Sequence, residues 1–526
     1  MKATNQELLS QLIDLSGLDV TTDRLGKLSY EDFKKAAPWS EDSLATLVAE
    51  LLKPYVSYDK PDKQWYVWNG QVHSPIEDDA SIVVTKGYAL ELLEGIREDF
   101  YEHHKLPKLG EDPTEDEQAA LKAVKSQNAT TLRPIQKLIA RLNGNAGQKS
   151  LAEMLSRALP LYREAQKAND AQYITFANGV IDTLAFVAGE PIPEMVPHDS
   201  GRRMYRSCPF DFDPKATAPQ FKEFIHKSVA TEDEGTYLLK ALGTAIFHGF
   251  GTRSKTIISL QGVTNSGKSM IVDLLKYLFP QHVVAVSGDA VFKYGDSNMK
   301  NQDRAVLADA RIGFALEVTE SLDERFILNY SGGDEYNVKE LYKNPIMVKP
   351  QGMLIMVSND GLLLDKTKSQ LNRRIGIVEM PHEFSKHDPV YTEDPLLLEK
   401  LKGEASGIIN ILAHGYQLAL EQGIDRSEGM EAKLRAETDD EDTLKAYIDE
   451  SGEVLSNDHG INSKYVGISN LRTAYNKWCA VNGEKSATLN RKMFRIRIER
   501  LGYTVIDKTS GGGTVRVSGL MFSFTS

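Results

Sequence analysis

The sequence predicts an α/β protein with a parallel sheet at its centre, a mixed and mainly helical N-terminal region and a helical C-terminal region. A β-branched run at residues 256–260 leads through a glycine-containing loop into an apolar helical stretch at residues 270–279. Further apolar runs, separated by helical or irregular stretches as in parallel sheets, lie at residues 283–286, 312–316 and 353–357. Near the end, three helical stretches precede a glycine turn at residues 510–513, which predicts a winged helix.

The length and composition indicate several domains and no membrane segment. At 526 residues and 58.6 kDa, the chain exceeds what one hydrophobic core usually serves. We expect an N-terminal domain at residues 1–214, a central domain at 215–430 and a C-terminal domain at 443–526. No apolar run approaches the roughly 20 residues that a spanning helix needs, and the first residues lack the apolar stretch of a signal peptide. We therefore expect a cytoplasmic protein.

Charge and cysteine content exclude little. The net charge of −12 argues against wholesale wrapping by nucleic acid, but its uneven distribution leaves room for local basic surfaces. Cys208 and Cys479 lie far apart and have no zinc-ligand spacing around them. We interpret both as reduced core thiols.

The loop at residues 262–269 carries the strongest motif. Its sequence, GVTNSGKS, matches GxxxxGK[ST], in which the glycines let backbone N–H groups turn inward around a phosphate at a helix N-terminus. Lys268 would neutralise phosphate oxygens, and the Ser269 hydroxyl would hold Mg²⁺. The alternative is a glycine turn without a ligand. The predicted ATP-binding residues are Gly262, Thr264, Asn265, Ser266, Gly267, Lys268 and Ser269.

Acidic and amide side chains follow the later apolar runs. Glu317 comes directly after the run at 312–316 and is the first candidate to complete the magnesium shell with Ser269 and to polarise the attacking water; Glu320 is the second. Asn359 follows the run at 353–357, where it would position the water or sense the γ-phosphate. The alternatives are acids that serve solubility and an ordinary loop asparagine.

Two adjacent arginines precede another apolar stretch. Arg373 and Arg374 are candidates for arginine fingers, which stabilise charge on a transferred phosphoryl group and come from the adjacent subunit in a ring. A double arginine is also common as a surface pair. The position of the pair after the other motifs favours the catalytic interpretation.

Together these motifs resemble the superfamily 3 helicases, particularly the phage, plasmid and poxvirus primase-helicase branch. The resemblance rests on GVTNSGKS, the strand ending in Glu317, the segment SGGD at 331–334, the strand ending in Asn359 and the arginine pair. It extends from about residue 60 to the end, weakly before 170. It implies an AAA+-like P-loop core, a hexamer, ATP-driven translocation along single-stranded DNA and replication of a mobile element, in the host cytoplasm if phage or plasmid encoded.

The resemblance also implies a DNA-gripping hairpin after the SGGD segment. The matching basic positions are Lys339 and Lys343, with Lys349 as a further candidate; the alternative is a solvated hairpin. Leu328 departs from the family pattern, in which a basic residue often precedes this segment, and this weakens the DNA role at that position. Val263 replaces the usual small or imino residue, which leaves phosphate binding intact.

The last predicted helix is basic, and this favours contact with duplex or forked DNA, although winged helices also bind proteins. The candidates there are Arg491, Lys492 and Arg495. Glu77, Asp78 and Asp79 form the densest acidic cluster before residue 100, and we interpret it as a surface loop. We therefore expect no primase activity in this chain and a separate primase or polymerase as a partner.

These observations favour a homohexameric DNA helicase that uses ATP and Mg²⁺. Two alternatives stay open: an AAA+ ATPase that loads or remodels proteins, and an origin-binding protein without processive unwinding. A small-molecule kinase has no use for the paired arginines.

Overall fold

A computed structural model describes most of the chain from residue 41 onward. The described residues are 41–60, 63–76, 78–107, 113–158, 161, 172–248, 255–294, 297–338, 346–350, 352–359, 361–362, 364, 369–454, 466–482, 491–501, 503–506, 516–518 and 520–522. The chain divides into two compact units, Met1–Ile181 with Met195–Ser207, and Asp182–Glu194 with Cys208–Ser526. No helix within the described residues is long and apolar enough to cross a membrane.

The first unit combines a small antiparallel sheet with helices. Its strands β1 (Val56–Asp59), β2 (Gln64–Trp68) and β3 (His73–Ile76) form a meander in which β2 is central. Its helices are α1 (Glu41–Leu52), α2 (Asp78–His103), α3 (Glu115–Leu142) and α4 (Asn145–Ser156). Thr114 caps α3 through a reciprocal pair of hydrogen bonds with Glu117. A second pair, β4 (Tyr173–Phe176) and β5 (Gly179–Asp182), is joined by a turn at residues 177–178.

The second unit contains the predicted parallel sheet. Its five strands run parallel in the order β12, β6, β11, β8, β7. They are β6 (Ile257–Gly262), β7 (Val283–Ser287), β8 (Ile312–Leu316), β11 (Met353–Ser358) and β12 (Ile375–Met380). Strand β6 lies between β12 and β11, and nearly all its side chains are buried. The prediction of an α/β fold with a parallel sheet is therefore confirmed.

Helices surround this sheet. They are α5 (Pro219–Ser228), α6 (Glu232–Phe247), α7 (Lys268–Leu278), α8 (Ser297–Ala308), α9 (Glu324–Gly332), α10 (Ser369–Asn372), α11 (Leu397–Gly403) and α12 (Ala405–Gln422). Between α9 and β11, β9 (Tyr336–Val338) pairs antiparallel with β10 (Ile346–Val348). This pair is the stem of the hairpin that the resemblance implies.

The charge-rich stretch after residue 428 is helical. It belongs to α13 (Glu428–Ser451), although its charged composition is as typical of a linker as of a solvated helix face. Helices α14 (Ile468–Asn482) and α15 (Arg491–Arg500) follow, with the short strands β13 (Gly452–Val454), β14 (Val466–Gly467), β15 (Thr504–Ile506), β16 (Arg516–Ser518) and β17 (Leu520–Phe522). Phe494 and Ile498 are buried, as their helical spacing predicts. The predicted glycine turn lies outside the described residues, and the winged helix stays a prediction.

Cys208 and Cys479 are both buried, and neither forms a disulfide. Burial raises the pKa of the Cys208 thiol. This matches the interpretation of both residues as core thiols.

Candidate functional site

The glycine loop joins the carboxyl end of β6 to the N-terminus of α7. Two of its residues have left-handed backbones, Asn265 with φ 58° and Gly267 with φ 97°. A β-carbon on Gly267 would lie 2.9 Å from the ring of Phe224, and one on Gly262 would meet the carbonyl oxygen of Met380 at 2.1 Å. Glycine is therefore required at both positions by close approach, and at Gly267 also by its backbone. The loop leaves the N-terminus of α7 open, which is the geometry that binds phosphate.

Lys268, the first residue of α7, turns back over this loop. Its ammonium donates hydrogen bonds to the carbonyl oxygens of Gly262 and Val263, both at 2.7 Å, and to Ser266 Oγ at 3.1 Å. The side chain is 7% exposed, and burial lowers its pKa. Within the described residues, the hydrogen-bond acceptors of Lys268 are neutral oxygens. A phosphate would bind the ammonium more strongly because it carries a negative charge.

Glu317 and Asn359 lie on the same edge of the sheet as the glycine loop. Each follows the carboxyl end of its strand, β8 or β11, and each is exposed. Glu317 has a left-handed backbone with φ 57°, and the next residue, Val318, donates its N–H to the carbonyl oxygen of Val357 at 2.9 Å. A non-glycine residue in this conformation is strained, and such strain is concentrated at functional sites. The turn directs the chain away from the sheet immediately after the acid.

One cavity of about 920 Å³ brings these groups together. Five residues of the loop line it from Thr264 to Lys268, and Ser269, Glu317 and Asn359 line it as well. Gly262 and Glu320 are not among its lining residues. Glu320 is half-buried and lies three residues beyond Glu317. The structure therefore separates the two acid candidates by position.

The cavity has a further wall, next to the glycine loop, that the sequence did not reveal. Helix α5 contributes Phe224 there, and the segment after β12 contributes Phe384 and Leu397. The N–H of Phe384 donates to the carbonyl oxygen of Asn265 at 3.0 Å, which attaches this segment directly to the glycine loop. Glu404 holds α5 by accepting from the N–H groups of its first turn at 3.0 and 3.1 Å.

Charged pairs line the outer part of this wall. Lys227 bonds Glu223 at 2.7 Å, and Lys400 bonds Asp394 at 2.6 Å. The Lys400 hydrogen bond lowers the pKa of the Asp394 carboxyl. The cavity lining therefore combines the glycine loop with apolar side chains and two charged pairs, in a volume of about 920 Å³.

The predicted arginines lie at the other edge of the sheet. They precede β12, whose six residues span about 20 Å. Arg374 is half-buried, and its Nη1 donates to the carbonyl oxygen of Leu328 at 2.7 Å and to Ser331 Oγ at 2.8 Å. Arg373 is exposed, and its side chain has no ion pair or hydrogen bond within the described residues. Neither arginine lines the cavity of its own subunit.

A magnesium ion would find oxygen ligands at two of the predicted positions. Ser269 and Glu317 both line the cavity, and hydroxyl and carboxylate oxygens are the donors that Mg²⁺ prefers, with water and phosphate completing its shell. The described residues contain no group of three or more histidine, cysteine, aspartate or glutamate side chains that could hold a metal alone. The donor set therefore fits a metal that arrives with a nucleotide.

The predicted DNA contacts are only partly described. Lys339 and Lys343 lie outside the described residues, between β9 and β10, whereas Lys349 is exposed directly after β10. The side chains of Arg491 and Lys492 also lie outside the described part. Arg495 Nε donates to Glu499 Oε1 at 3.0 Å one turn along α15.

The fold and site define an α/β protein whose parallel sheet carries a glycine loop, an acid and an amide at one edge. Residues 45–229 match the family model described as D5 N terminal like. The chain is 26% identical over 223 residues to Putative helicase V13 of Sputnik virophage, and 24% identical over 267 residues to Putative helicase L207/L206 of Acanthamoeba polyphaga mimivirus. These matches cover 39% and 48% of this chain, but only 28% and 26% of the relatives.

Solved structures of the NrS-1 C terminal region are also similar. One apo structure, of residues 305–718, matches with a TM-score of 0.36 and 14% identity over 72% of this chain and 90% of that chain. An A form apo structure matches with a TM-score of 0.34 and 15% identity over 64% and 84%. The family model and the viral relatives confirm the resemblance to the primase-helicase branch of superfamily 3. They also extend it to residue 45, well before the region where the motifs made it strong.

Proposed function

We propose that this chain is a Mg-ATP-dependent DNA helicase that works as a homohexameric ring during replication of a phage, plasmid or viral element. One observation carries the proposal: the glycine loop, Glu317 and Asn359 line a single cavity of about 920 Å³ at the carboxyl edge of the sheet. A nucleoside triphosphate with its metal and attacking water is the ligand that would use all of these groups together. The viral relatives named as helicases support the same class of activity.

The residues divide the hydrolytic step among them. Lys268 leaves its carbonyl partners and pairs with the β- and γ-phosphate oxygens. Ser269 and Glu317 would hold the metal, which would neutralise charge on the phosphates. Glu317 accepts a proton as water attacks the γ-phosphorus, and the bond to the bridging oxygen breaks to release ADP. Asn359 orients the water or contacts the γ-phosphate. Gly262, Thr264, Asn265, Ser266 and Gly267 shape the backbone that holds the phosphates.

The arginines require a second subunit. Both arginines precede β12, a strand about 20 Å long, and neither lines the cavity at its other end, so their guanidinium groups would act on a neighbour's nucleotide. A head-to-tail interface that closes into a ring provides this arrangement. We propose Arg373 as the finger, because its guanidinium is exposed whereas that of Arg374 is bonded within its own subunit.

DNA would occupy the channel of such a ring. Lys339 and Lys343 at the hairpin, with Lys349 after its stem, would contact the phosphates of one strand. Arg491, Lys492 and Arg495 of α15 would contact duplex or forked DNA in a winged-helix-like C-terminal domain. A separate primase or polymerase would then supply the synthetic step.

The test measures ATP hydrolysis by the full chain with and without single-stranded DNA, beside unwinding of a forked duplex. We expect stimulation by DNA and unwinding, both lost in Lys268→Ala. If the rate of ATP hydrolysis does not respond to single-stranded DNA and is unchanged when Lys339 and Lys343 are replaced by alanine, a protein-remodelling ATPase is supported instead. A Lys268→Ala variant with full turnover would disprove the site.

A further inference from the structure

A single arginine outside the predicted motifs holds the backbone around Arg373. Residues 372–375, from the last residue of α10 to the first of β12, are called here the arginine turn. Arg426 Nη1 donates to three carbonyl oxygens of this turn, those of Asn372 at 3.1 Å, Arg373 at 3.1 Å and Ile375 at 2.7 Å. The fourth carbonyl oxygen, that of Arg374, accepts from the N–H of Ile257 at 2.8 Å. All four carbonyl groups of the turn are therefore bonded.

The opposite side of the Arg426 guanidinium faces a carboxylate. Its Nε and Nη2 both lie 2.7 Å from Glu431 Oε1, and the Arg426 side chain is 14% exposed. Only a guanidinium can point one nitrogen at a cluster of carbonyl oxygens and two at a carboxylate, because its donors are fixed in a plane. Glu431 balances the charge and fixes the plane. Arg426 thus has a geometric task that lysine could not perform.

Strand β12 is also held at its far end, by helix α13. Lys433, two residues after Glu431 on α13, bonds Glu379 of β12 at 2.7 Å and the buried Glu234 at 2.5 Å. These hydrogen bonds raise the pKa of the Lys433 ammonium against the lowering effect of its burial. Arg426, two residues before α13, and Lys433 within α13 therefore hold β12 at its two ends, and Arg426 is the contact at the end that carries the arginines.

We propose that Arg426 is a positioning residue that presents Arg373 to the nucleotide of the neighbouring subunit. This proposal rests on the proposed function. Of the two arginine side chains in the turn, that of Arg374 is fixed by Leu328 and Ser331, whereas that of Arg373 depends on the backbone alone for its direction. A shift of about 1 Å at a catalytic group can cost about 100-fold in rate. Loss of the Arg426 contacts releases three of the four carbonyl groups that fix that backbone.

The first experiment compares nucleotide binding and turnover in Arg426→Gln. We expect kcat for ATP to fall by about 10- to 100-fold, while the affinity for a fluorescent ATP analogue stays within about 2-fold of the wild type. The matched control is Arg435→Gln, an exposed arginine on α13 nine residues further along the chain, which should keep wild-type values. Wild-type turnover in Arg426→Gln would overturn the proposal.

The second experiment separates a positioning role from a general structural one. Subunits of Lys268→Ala have an inactive nucleotide site but an intact Arg373, so mixing them with Arg426→Gln subunits should restore hydrolysis at mixed interfaces. Arg373→Ala subunits, mixed with Lys268→Ala in the same way, provide the reference. If the reference mixture recovers and the Arg426→Gln mixture does not, Arg426 serves its own subunit and the proposal is wrong.

The same mixtures distinguish a failure of the trans arginine in the proposed function from a failure of the role of Arg426. Failure of the reference mixture itself would refute the trans arginine in the proposed function, and the role of Arg426 would fall with it. If Arg426→Gln does not fold, Arg426→Lys takes its place, since it keeps the charge but cannot contact the turn and Glu431 together. It must then show the same loss of kcat and the same recovery on mixing, or the proposal is overturned.

Discussion

Arg374 and Ser331 are joined by a hydrogen bond of 2.8 Å that connects the start of β12 to the last turn of α9. Ser331 Oγ also donates to the carbonyl oxygen of Ile327 at 2.7 Å, and the serine is buried. The same guanidinium reaches the carbonyl oxygen of Leu328. Of the two adjacent arginines, Arg374 therefore belongs to the framework of its own subunit.

This relationship predicts opposite phenotypes for the two arginines. Arg374→Ala should lower the free energy of unfolding by about 1.5 to 3 kcal/mol, since it removes hydrogen bonds from a charged group. Arg373→Ala should change stability by less than about 0.5 kcal/mol, yet lower kcat by about 10³-fold or more. Urea unfolding and steady-state ATP hydrolysis measure the two effects. A stable Arg374→Ala with no turnover, beside a fully active Arg373→Ala, would reverse the assignment.

The two acids of the β8 region should also differ. Glu317 lines the cavity and Glu320 does not, so Glu317→Gln should retain ATP binding and lose turnover by about 10²- to 10⁴-fold, the range for a general base. Glu320→Gln is the matched control and should remain within a few-fold of wild type. Single-turnover hydrolysis, with the bound nucleotide quantified separately, gives the comparison. Equal losses in both variants would contradict the distinction.

The sheet was predictable because its strands are buried on both faces and appear as continuous apolar runs. The run at 312–316 coincides with β8, Ile312–Leu316, and each of the other runs lies within a strand or overlaps most of it. Residues at the carboxyl ends of parallel strands meet at one edge, and for that reason the glycine loop, Glu317 and Asn359 could be associated from sequence alone. Local pattern and strand polarity together were sufficient for this part of the site.

The rest of the site depends on tertiary structure. Phe224 and Phe384 lie on the same cavity although they are far apart in the chain, and neither belongs to a motif. The difference between Arg373 and Arg374 arises from contacts with α9 and from Arg426, which adjacent identical residues cannot reveal. A charged helix and a charged linker have the same composition, so the sequence could predict neither α13 nor the ion pair between its Lys433 and Glu379 of β12.

Substitutions of two glycines separate the effect of backbone strain from the effect of a steric contact with Phe224. Gly267→Ala should weaken ATP binding, because the residue has φ 97° and its new methyl group would meet the Phe224 ring at 2.9 Å. Gly333→Ala is the control: its φ is 73°, but no atom lies within 4 Å of the added carbon. Both should lose about 1 to 3 kcal/mol of stability from the strained backbone, and only Gly267→Ala should lose affinity. Isothermal titration with ATP and thermal unfolding provide the readouts; equal affinities would exclude the contact.

The first unit should lose stability in mild acid through His73. This histidine is buried at the start of β3, with Nε2 3.1 Å from the carbonyl oxygen of Pro54. Burial, together with nearby Arg203, lowers its pKa from 6.5 to about 4. The unfolded chain binds a proton near pH 6.5, whereas the folded state resists it down to about pH 4. The free energy of unfolding should therefore fall as the pH drops through this window, by about 3 kcal/mol in all.

Replacement of the ring tests this assignment. In His73→Gln the slope of unfolding free energy against pH between 6.5 and 4 should be reduced by the contribution of one proton. At pH 7.5 the unfolding free energy of the variant should be lower than that of the wild type. Urea unfolding followed by tryptophan fluorescence is suitable, since Trp68 lies 5.4 Å from His73 between ring centroids. An unchanged slope would assign the acid sensitivity to other groups.

DNA binding should depend on the lysines of the hairpin and its stem. Lys349 is exposed directly after β10, and if it contacts a phosphate, Lys349→Ala should reduce the slope of log affinity against log salt concentration by about 0.7 for single-stranded DNA. Affinity should fall to a similar extent for every sequence, because phosphate contacts carry no base information. The control is Lys215→Ala. Lys215 is an exposed lysine before α5 and is far from the hairpin in sequence. Fluorescence anisotropy at several salt concentrations measures both, and a Lys349→Ala slope equal to that of the control would remove this residue from the DNA path.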